Sequence, residues 1–432
     1  MRPMTATEKI LSVHAGKKGV APGDHLWIDV DILLTHDICG PGTIGIFKKE
    51  YGERAPVWDP RKLVVIPDHY IFTRDTHAAR NLEILRAFAR EQGLPHFYDA
   101  GTERYRGVCH VALAEEGFTR PGQVLFGTDS HTCTAGAFGG FASGIGNTDA
   151  AFVMGTGKLW VKVPATRRLV LEGEIPPFIM AKDVMLRIIG DIGVEGANYQ
   201  AMEFSGDGVS LMPMEERMTL CNMSVEAGAK SGIVTADEKT EAFLRNTNGP
   251  PAEPVLNDDG CTFAGIHTIR SAGLEPMVAK PHAPSNTAPA RTLRRVRLDQ
   301  CYIGSCTGGK TADLVAAARI LKGRRVKVRT VVVPATKQVE AALDVEHMDG
   351  VVLRKVFLES GAEVGPPSCA ACLGGPDDTF GRLTGSETNI STTNRNFPGR
   401  MGSPQSQTFL ASPLTVAASA LTGRITDPRE FL

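Results

Sequence analysis

The chain has little net charge and no long apolar run, and each shortage removes a class of function. Its 432 residues carry 47 Lys and Arg against 48 Asp and Glu, a formal net charge of -1. That balance gives no electrostatic reason to expect nucleic acid or an anionic membrane as a partner. No stretch approaches the roughly 20 apolar residues that cross a bilayer, and the N-terminus lacks the apolar segment of a secretion signal. We therefore expect a cytoplasmic protein with no membrane and no nucleic-acid partner.

Nine cysteines are scattered along a large chain that shows no secretion signal. This usage does not predict a disulfide framework, because such frameworks belong to small domains in oxidising compartments. Reduced thiols that include metal ligands are the better expectation. At roughly 150 residues per domain, the length suggests about three domains, each large enough to bury a core.

Short β-branched runs alternate with amphipathic segments, a pattern typical of α/β layers built on parallel sheets. The run 63–66 predicts a buried strand, and a helix then begins after the N-cap Asp75 and ends at Gly93. The same order of strand and helix recurs from residue 169 to residue 189 and again from residue 298 onward. The predicted fold class is α/β.

The strand and helix order divides the chain into three α/β units, which we place at 1–165, 166–285 and 286–432. The stretch 279–290 is rich in Pro, Ser and Asn, so it predicts a linker before the third unit. We find no fixed-period repeat and no low-complexity tract in the sequence.

The segment 304–311 matches the phosphate-loop pattern G-x-x-x-x-G-K-[ST] and lies between a predicted strand and a predicted helix. In that setting the backbone would cradle a nucleotide phosphate, with Lys310 on the outer phosphates. Two features argue against this reading. The next strand, 326–333, ends without a carboxylate to hold magnesium, and Cys306 inside the loop serves no phosphate purpose. A nucleotide hydrolase stays open as an alternative at this point.

Three cysteines form a candidate metal site. Cys369 and Cys372 make a C-x-x-C in a loop of small residues, and two thiolates at that spacing bind one metal or one edge of a cluster. Cys306, at a strand-to-helix turn, would supply a third thiolate that the helix N-terminus favours. A redox dithiol, a zinc ion with a fourth ligand and an iron–sulfur cluster all remain open. A cluster with three cysteine ligands would leave one iron as a Lewis acid for substrate.

An open iron acting on a hydroxy acid needs cations for the carboxylates and positioned acids for the departing hydroxide. Arg395 and Arg400 share one turn-rich segment, which suits bidentate carboxylate binding. Two predicted strands are followed by polar sequences, Asp68-His69 and Asp129-Ser130-His131, where α/β sheets place functional residues. Two further candidates, weak when taken singly, are His110 and Glu226.

Eight short motifs spread nearly end to end along the chain. They are THD (35–37), PDH (67–69), GVCH (107–110), GTDSHTCT (127–134), NMSVEAGAKSGI (222–233), IGSCT (303–307), SCAACLGG (368–375) and NRNFPGR (394–400). Each is weak alone, and together they are highly specific. The set resembles the aconitase superfamily, in particular its large subunits of the 3-isopropylmalate dehydratase and homoaconitase type. On this resemblance the phosphate-loop match is a coincidence of glycines in a cluster loop.

The resemblance implies a hydro-lyase that isomerises a 2-hydroxy diacid by dehydration and rehydration. The expected substrate is 3-isopropylmalate, in leucine biosynthesis, with homoaconitate or a methylmalate-type acid as alternatives. It implies that Cys306, Cys369 and Cys372 hold a 4Fe–4S cluster with one iron free of protein ligands. The implied acid–base pairs are Asp68 with His69, His110 with Glu226, and Asp129 with His131. The implied contacts to substrate or cluster are Arg395, Arg400, Ser130, Asn222 and Asn394.

The resemblance also implies an aconitase-like architecture of three α/β/α domains around a central cluster, plus a fourth, swivelling domain with a serine base. Because the chain ends at Leu432, we expect that domain in a separate small subunit and expect the large chain alone to be inactive. Departures from the family pattern widen the choice of 2-hydroxy di- or tricarboxylic acid without removing a predicted ligand or base. They are Gly308 for Asn, Ala370 and Ala371 for a Gly-containing pair, Tyr70 for Asn, and Cys39 for Thr.

Overall fold

The computed structural model describes residues 2–247 and 252–432. Its strands, in chain order, are β1 (His25–Asp29), β2 (Ile32–Thr35), β3 (Leu63–Val65), β4 (Val124–Gly127), β5 (Phe141–Gly144), β6 (Lys158–Lys162), β7 (Thr166–Glu172), β8 (Ala201–Ser205), β9 (Ser231–Val234), β10 (Gly265–Arg270), β11 (Met277–Ala279), β12 (Thr287–Pro289), β13 (Gln300–Ile303), β14 (Arg329–Val332), β15 (His347–Met348), β16 (Val351–Val352), β17 (Glu363–Val364), β18 (Thr388–Ser391) and β19 (Gln407–Ala411). Its α-helices are α1 (Ala6–His14), α2 (Gly40–Tyr51), α3 (Thr76–Gln92), α4 (Cys109–Glu115), α5 (Asn147–Thr156), α6 (Ala181–Ile192), α7 (Asp207–Leu211), α8 (Met214–Asn222), α9 (Glu238–Leu244), α10 (Thr311–Leu321), α11 (Lys337–Val345), α12 (Leu353–Ser360) and α13 (Pro413–Thr422).

Three sheets form the frame of the molecule. The first has the order β3-β2-β4-β5 and the second the order β10-β7-β8-β9, and every pairing in both is parallel. The third has seven strands in the order β12-β11-β19-β18-β13-β14-β17, parallel from β19 to β17. Parallel sheets need crossover connections, and the helices between the strands supply them. The α/β prediction is confirmed.

The local signals of the sequence appear as expected around α3. The Asp75 carboxylate accepts a hydrogen bond from the Ala78 amide at 2.8 Å and caps the helix. Gly93 ends it in the left-handed conformation at φ 61°, where glycine has no steric penalty. The preceding strand β3 is buried at all three positions, although it lies at the edge of the first sheet, where its neighbouring strand is β2.

The predicted linker at 279–290 is wrong. Strands β11 and β12 form an antiparallel hairpin in this stretch, with Val278 opposite Ala288, and β11 also pairs with β19 through Val278 and Ala411. The hairpin thus extends the third sheet, and the predicted boundary at 285/286 falls within it. Polar and Pro-rich composition misled the prediction, because a short edge hairpin tolerates Pro and needs little apolar sequence. The division into three domains stays a prediction.

The strands bring several polar loops to the sheet edges at which they end. Asp68 follows β3, Asp129 follows β4, Cys306 follows β13 and Asn394 follows β18. In parallel sheets the loops at the carboxyl ends of the strands are the usual place for functional residues. Among the residues that the structure describes, no helix is both long and apolar enough to span a membrane.

Candidate active site

The three predicted cysteines converge in one buried cluster. Cys369 interacts with both Cys306 and Cys372, and the three side chains belong to one buried core and are at most 4% exposed. Two features hold the loop of Cys306. Ser305 adopts a left-handed conformation at φ 72°, and the Thr392 hydroxyl bridges the amide and the carbonyl of Gly304 at 2.8 Å each. The prediction that the three sulfurs come together therefore agrees with the geometry.

Two buried amides point at the Cys306 sulfur. Asn222 donates to it from Nδ2 at 3.2 Å and Asn394 from Nδ2 at 3.3 Å, and Asn394 also donates to Asn222 Oδ1 at 2.6 Å. Hydrogen bonds of this kind stabilise a thiolate more than a thiol. Asn222 ends α8 and Asn394 follows β18, so two separate elements meet at this sulfur.

Two of the three thiols are biased toward ionisation, whereas the hydrogen bonds of Cys369 to both neighbours, together with burial, raise the pKa of that third thiol well above its usual range. The hydrogen bond from Cys369 lowers the pKa of Cys306 well below its usual range, and it lowers the pKa of Cys372 to about 5. Burial opposes both changes, and the charge of His131 supports them. Thiolates are the form in which cysteine binds metals.

This donor set fits an iron–sulfur cluster better than a zinc ion. Sulfur donors with amide hydrogen bonds are the usual ligands of such clusters. Within the described residues, no group of three ligand atoms gathered inside 4.8 Å includes a cysteine. A zinc ion holds its sulfurs at about 2.3 Å and needs a fourth ligand close by, whereas a multi-iron core accepts a wider spacing.

Asp68 and His69 form a buried ion pair beside this cluster. The His69 Nδ1 lies 2.7 Å from Asp68 Oδ1, while Asp68 Oδ2 accepts the Cys109 amide at 2.7 Å. Burial alone would lower the pKa of His69, but the charge and hydrogen bond of Asp68, together with the charges of Asp37 and Asp129, outweigh it and raise that pKa to about 10. The pKa of Asp68 is lowered in turn, because the charges of His69 and His36 and the hydrogen bonds from His69 and the Cys109 amide together outweigh the burial that favours its neutral form. The Cys369 amide donates to the Asp68 carbonyl at 2.8 Å, which joins the pair to the cysteine loop.

The other two histidines pair differently from the expectation. His110 Nε2 lies 2.9 Å from Asp129 Oδ1, and His131 Nε2 lies 2.8 Å from Glu226 Oε1. The predicted pair of His110 with Glu226 is therefore wrong. Asp129 with His131 is retained as a weaker contact, 3.3 Å from Nδ1, beside a 2.8 Å bond from the His131 amide. The Asp129 carboxylate thus contacts both His110 and His131.

Charge pairing explains the ionisation of this second group. The pKa of Asp129 falls well below its usual range, since the charges of His110 and His131 outweigh burial. Burial would lower the pKa of His131, but hydrogen bonds to Asp129 and Glu226 raise it to about 9. The pKa of Glu226 is lowered despite burial, through His131 and Arg395.

The two arginines border the same space. Arg395 donates from Nε to Glu226 Oε1 at 2.9 Å and from Nη2 to Ser130 Oγ at 3.0 Å, and its side chain stays 25% exposed. Arg400 Nη2 lies 3.9 Å from the Cys372 sulfur, and Arg400 Nε is buried with no hydrogen-bond partner among the residues that the structure describes. A guanidinium with an unused buried donor is suited to a carboxylate ligand.

Sequence reasoning missed two residues of this cluster. His36 is buried with its ring 4.7 Å from the His69 ring, and its Nε2 lies 3.8 Å from Asp129 Oδ2. Asp37 accepts the backbone amides of Asp68 and His69 at 2.9 and 3.1 Å and so fixes the loop after β3. Both directly follow β2, so the strand-end rule applied to Asp68 would have found them.

The phosphate-loop match has no phosphate site. The Lys310 side chain is 1% exposed, and its Nζ lies 2.7 Å from Asp313, 2.9 Å from Thr219 Oγ1 and 3.0 Å from the Cys306 carbonyl. A Cβ on Gly308 would lie 2.2 Å from the Thr392 side chain, so the loop packs closely against the segment that follows β18. The alternative of a nucleotide hydrolase at 304–311 is wrong.

Comparison with known proteins identifies the family of this chain. The family model of aconitase (aconitate hydratase) matches residues 8–294 and 286–423. The 3-isopropylmalate dehydratase large subunit of Arabidopsis thaliana, described as chloroplastic, is 55% identical over 99% of this chain and 87% of its own length. The 3-isopropylmalate dehydratase large subunit 1 of Methanopyrus kandleri is 45% identical over 99% of both chains.

Among solved structures, Thermococcus kodakaraensis aconitase X in its holo-form covers 90% of this chain and 89% of its own, with 12% identity and a TM-score of 0.48. The resemblance read from the eight sequence motifs is confirmed by the family model and by relatives that match over the full chain. The chain belongs to the aconitase family.

Proposed function

We propose that this chain is the cluster-bearing large subunit of a hydro-lyase that isomerises 3-isopropylmalate. The observation that carries the proposal is the meeting of three buried cysteines with two amide donors, two arginines and a network of histidines and carboxylates. Relatives of that name match the chain over 99% of its length, which supports the same substrate.

Cys306, Cys369 and Cys372 would hold a 4Fe–4S cluster, and Asn222 and Asn394 would stabilise it through their hydrogen bonds to the Cys306 sulfur. When bound, such a cluster supplies an iron without a protein ligand, which is a Lewis acid for a hydroxyl and a carboxylate.

The histidines would carry out the proton transfers of the dehydration step. His69 Nδ1 faces Asp68, which leaves Nε2 for the substrate, and a pKa of about 10 keeps the ring protonated at neutral pH. His69 would therefore deliver a proton to the departing hydroxyl from Nε2. His110 and His131 are both held by Asp129, so their rings keep a fixed orientation toward the same space.

The arginines would bind the substrate carboxylates. Glu226 and Ser130 hold the Arg395 guanidinium in place, so little side-chain freedom is lost when a carboxylate arrives. Arg400 would use its unpaired Nε in the same way.

The partner we propose is a small subunit with the swivelling domain, because the relatives are named large subunits. That domain would bring the base and complete the site, so this chain alone would not turn over substrate. We propose a cytoplasmic location, as for a protein of the prokaryotic type, in leucine biosynthesis.

The test is anaerobic reconstitution of the chain with iron and sulfide, followed by addition of the small subunit and measurement of alkene absorbance with 3-isopropylmalate. We expect iron binding and turnover in the wild type and loss of both in Cys306→Ser. Cys301→Ser is the matched control, because Cys301 is equally buried in β13 but lies outside the cysteine cluster. Homoaconitate and a methylmalate in parallel assays test the substrate. Full activity of Cys306→Ser, or no iron uptake by the wild type, would refute the proposal.

A further inference from the structure

Two lysines are completely buried near the cysteine cluster, and they differ in how their charge is balanced. Lys310 forms an ion pair with Asp313, with 2.7 Å between Nζ and Oδ2. Lys182, at 1% exposure, has no carboxylate within 4 Å of its Nζ in the described part of the chain. A buried ammonium without a counter-ion is among the costliest groups a protein can hold.

The hydrogen bonds of Lys182 require the charged form. Its Nζ contacts the carbonyls of Thr392 and Thr393 at 2.5 and 2.6 Å and the Thr307 hydroxyl at 3.2 Å. Thr307 donates its own proton to the Thr392 carbonyl at 2.7 Å, so its oxygen can only accept from Lys182. Three acceptors around one nitrogen need three N–H donors, and only the ammonium has three.

The position of Lys182 on its helix adds to the free-energy cost of burying its charge. It lies in the first turn of α6, whose N-terminus carries a partial positive charge that disfavours a cation. Burial lowers the pKa of Lys182 to about 7, and the groups that oppose this most strongly are the sulfurs of Cys306 and Cys372. The anions that stabilise this ammonium are therefore the sulfurs of the cysteine cluster.

The contacts of Lys182 also join the two loops that carry the site. Thr307 is the neighbour of Cys306, and the carbonyls of Thr392 and Thr393 lead directly into Asn394. Asn394 in turn donates to the Cys306 sulfur. One ammonium from α6 thus holds the cysteine loop against the segment that supplies its amide donor.

We propose that Lys182 is a positioning residue that serves as the buried counter-cation of the iron–sulfur cluster and raises its reduction potential. The inference rests on the proposed function, because it needs the cluster at Cys306, Cys369 and Cys372. A fixed positive charge in a medium of low dielectric stabilises added negative charge, so it favours the form of the cluster that has gained one electron.

The test is a redox titration of the anaerobically reconstituted chain with a chemical reductant as the electron source, followed by electron paramagnetic resonance. Lys182→Met removes the charge and the donors, Lys182→Gln removes the charge but keeps two donors, and Lys182→Arg keeps the charge. We expect at least a tenfold loss in the equilibrium constant of one-electron reduction for Met and Gln, a shift of about 59 mV to lower potential. Arg should stay near the wild type.

Ile188→Ala is the matched control, because Ile188 is a buried residue of α6 with no part in these contacts. It should lower stability and leave the potential unchanged. Potentials equal to wild type in Lys182→Gln or Lys182→Met overturn the proposal. If neither neutral variant retains iron, retention by Lys182→Arg supports it and loss there as well overturns it. A wild-type chain that takes up no cluster would instead refute the proposed function.

Discussion

Replacing Asp68 by Asn tests the electrostatic design of the site most directly. The Asp68 side chain is fully buried and its partner His69 is 5% exposed, so water screens their 2.7 Å contact very little. Asn keeps the size of the side chain and removes only the charge. The cationic ring of His69 is then left buried without its main partner.

Two independent estimates agree on how much stability the pair of Asp68 with His69 contributes. The difference between a pKa of about 10 for His69 and its ordinary 6.5 corresponds to about 5 kcal/mol. Removing one partner of a buried ion pair typically costs about 3–5 kcal/mol. We therefore expect Asp68→Asn to lower the free energy of unfolding by about 3–5 kcal/mol at pH 7.

The pH dependence follows from the directions of the two pKa changes. His69 has a raised pKa, so its stabilising contribution is fully present below pH 6.5 and is lost as the pH rises through about 10. Asp68 has a lowered pKa, so its contribution is present above its ordinary 3.8 and is lost as the pH falls through the lowered value. The difference between variant and wild type should accordingly be large at pH 7 and small above pH 10.

The assay is urea unfolding followed by circular dichroism at pH 7 and above pH 10. The control is Asp191→Asn, which removes the charge from an exposed pair with Arg187 on α6 and should change stability by less than about 1 kcal/mol. If Asp68→Asn unfolds at the same urea concentration as the control at pH 7, the reasoning from burial and pairing is refuted.

Two further substitutions test a half-buried carboxyl group and a closely packed glycine. Burial raises the pKa of Glu115 to about 8, so this carboxyl costs stability as the pH rises from 4.5 to 8. Glu115→Gln, which can still accept the Thr336 hydroxyl, should stabilise the protein by about 2–4 kcal/mol at pH 8 and far less at pH 5 in urea unfolding; no gain at pH 8 would contradict this. Gly308→Ala places a Cβ 2.2 Å from Thr392 and should cost at least about 2 kcal/mol and weaken iron retention. Gly45→Ala in α2 meets nothing within 4 Å and should instead be neutral or slightly stabilising; equal thermal midpoints for these two variants would contradict the packing argument.

The sequence predicted individual elements well where local chemistry decides them. The capped helix α3 and the buried strands β3 and β4 follow from periodicity, an N-cap Asp and a terminal Gly, all of which act within a few residues. The predicted strand 326–333 was too long: it begins only at Arg329, because pairing with β13 begins there. Boundaries depend on the neighbouring strand, which the local pattern does not contain.

Partners across loops were beyond sequence reasoning. His110 and Glu226 both appeared as candidates, yet His110 meets Asp129 and Glu226 meets His131. Which carboxylate reaches which imidazole depends on a few ångströms in the placement of α4 and of the 3-10 helix Met223–Ala227. The ion pair of Lys310 with Asp313 was equally unpredictable, because the sequence pattern of a glycine-rich loop is the same whether its lysine contacts a phosphate or lies in the core.

The sequence by itself determined the α/β class, the family and the residue types of the site, since motifs and periodicity are local and can be recognised without a structure. Only the tertiary structure decided that a hairpin replaces the predicted linker, how the histidines pair and which lysine lacks a carboxylate. The physical reason is that burial and charge pairing join segments far apart in the chain. For Lys182, three contacts of 2.5 to 3.2 Å from distant loops define a role that its own neighbours in sequence do not indicate.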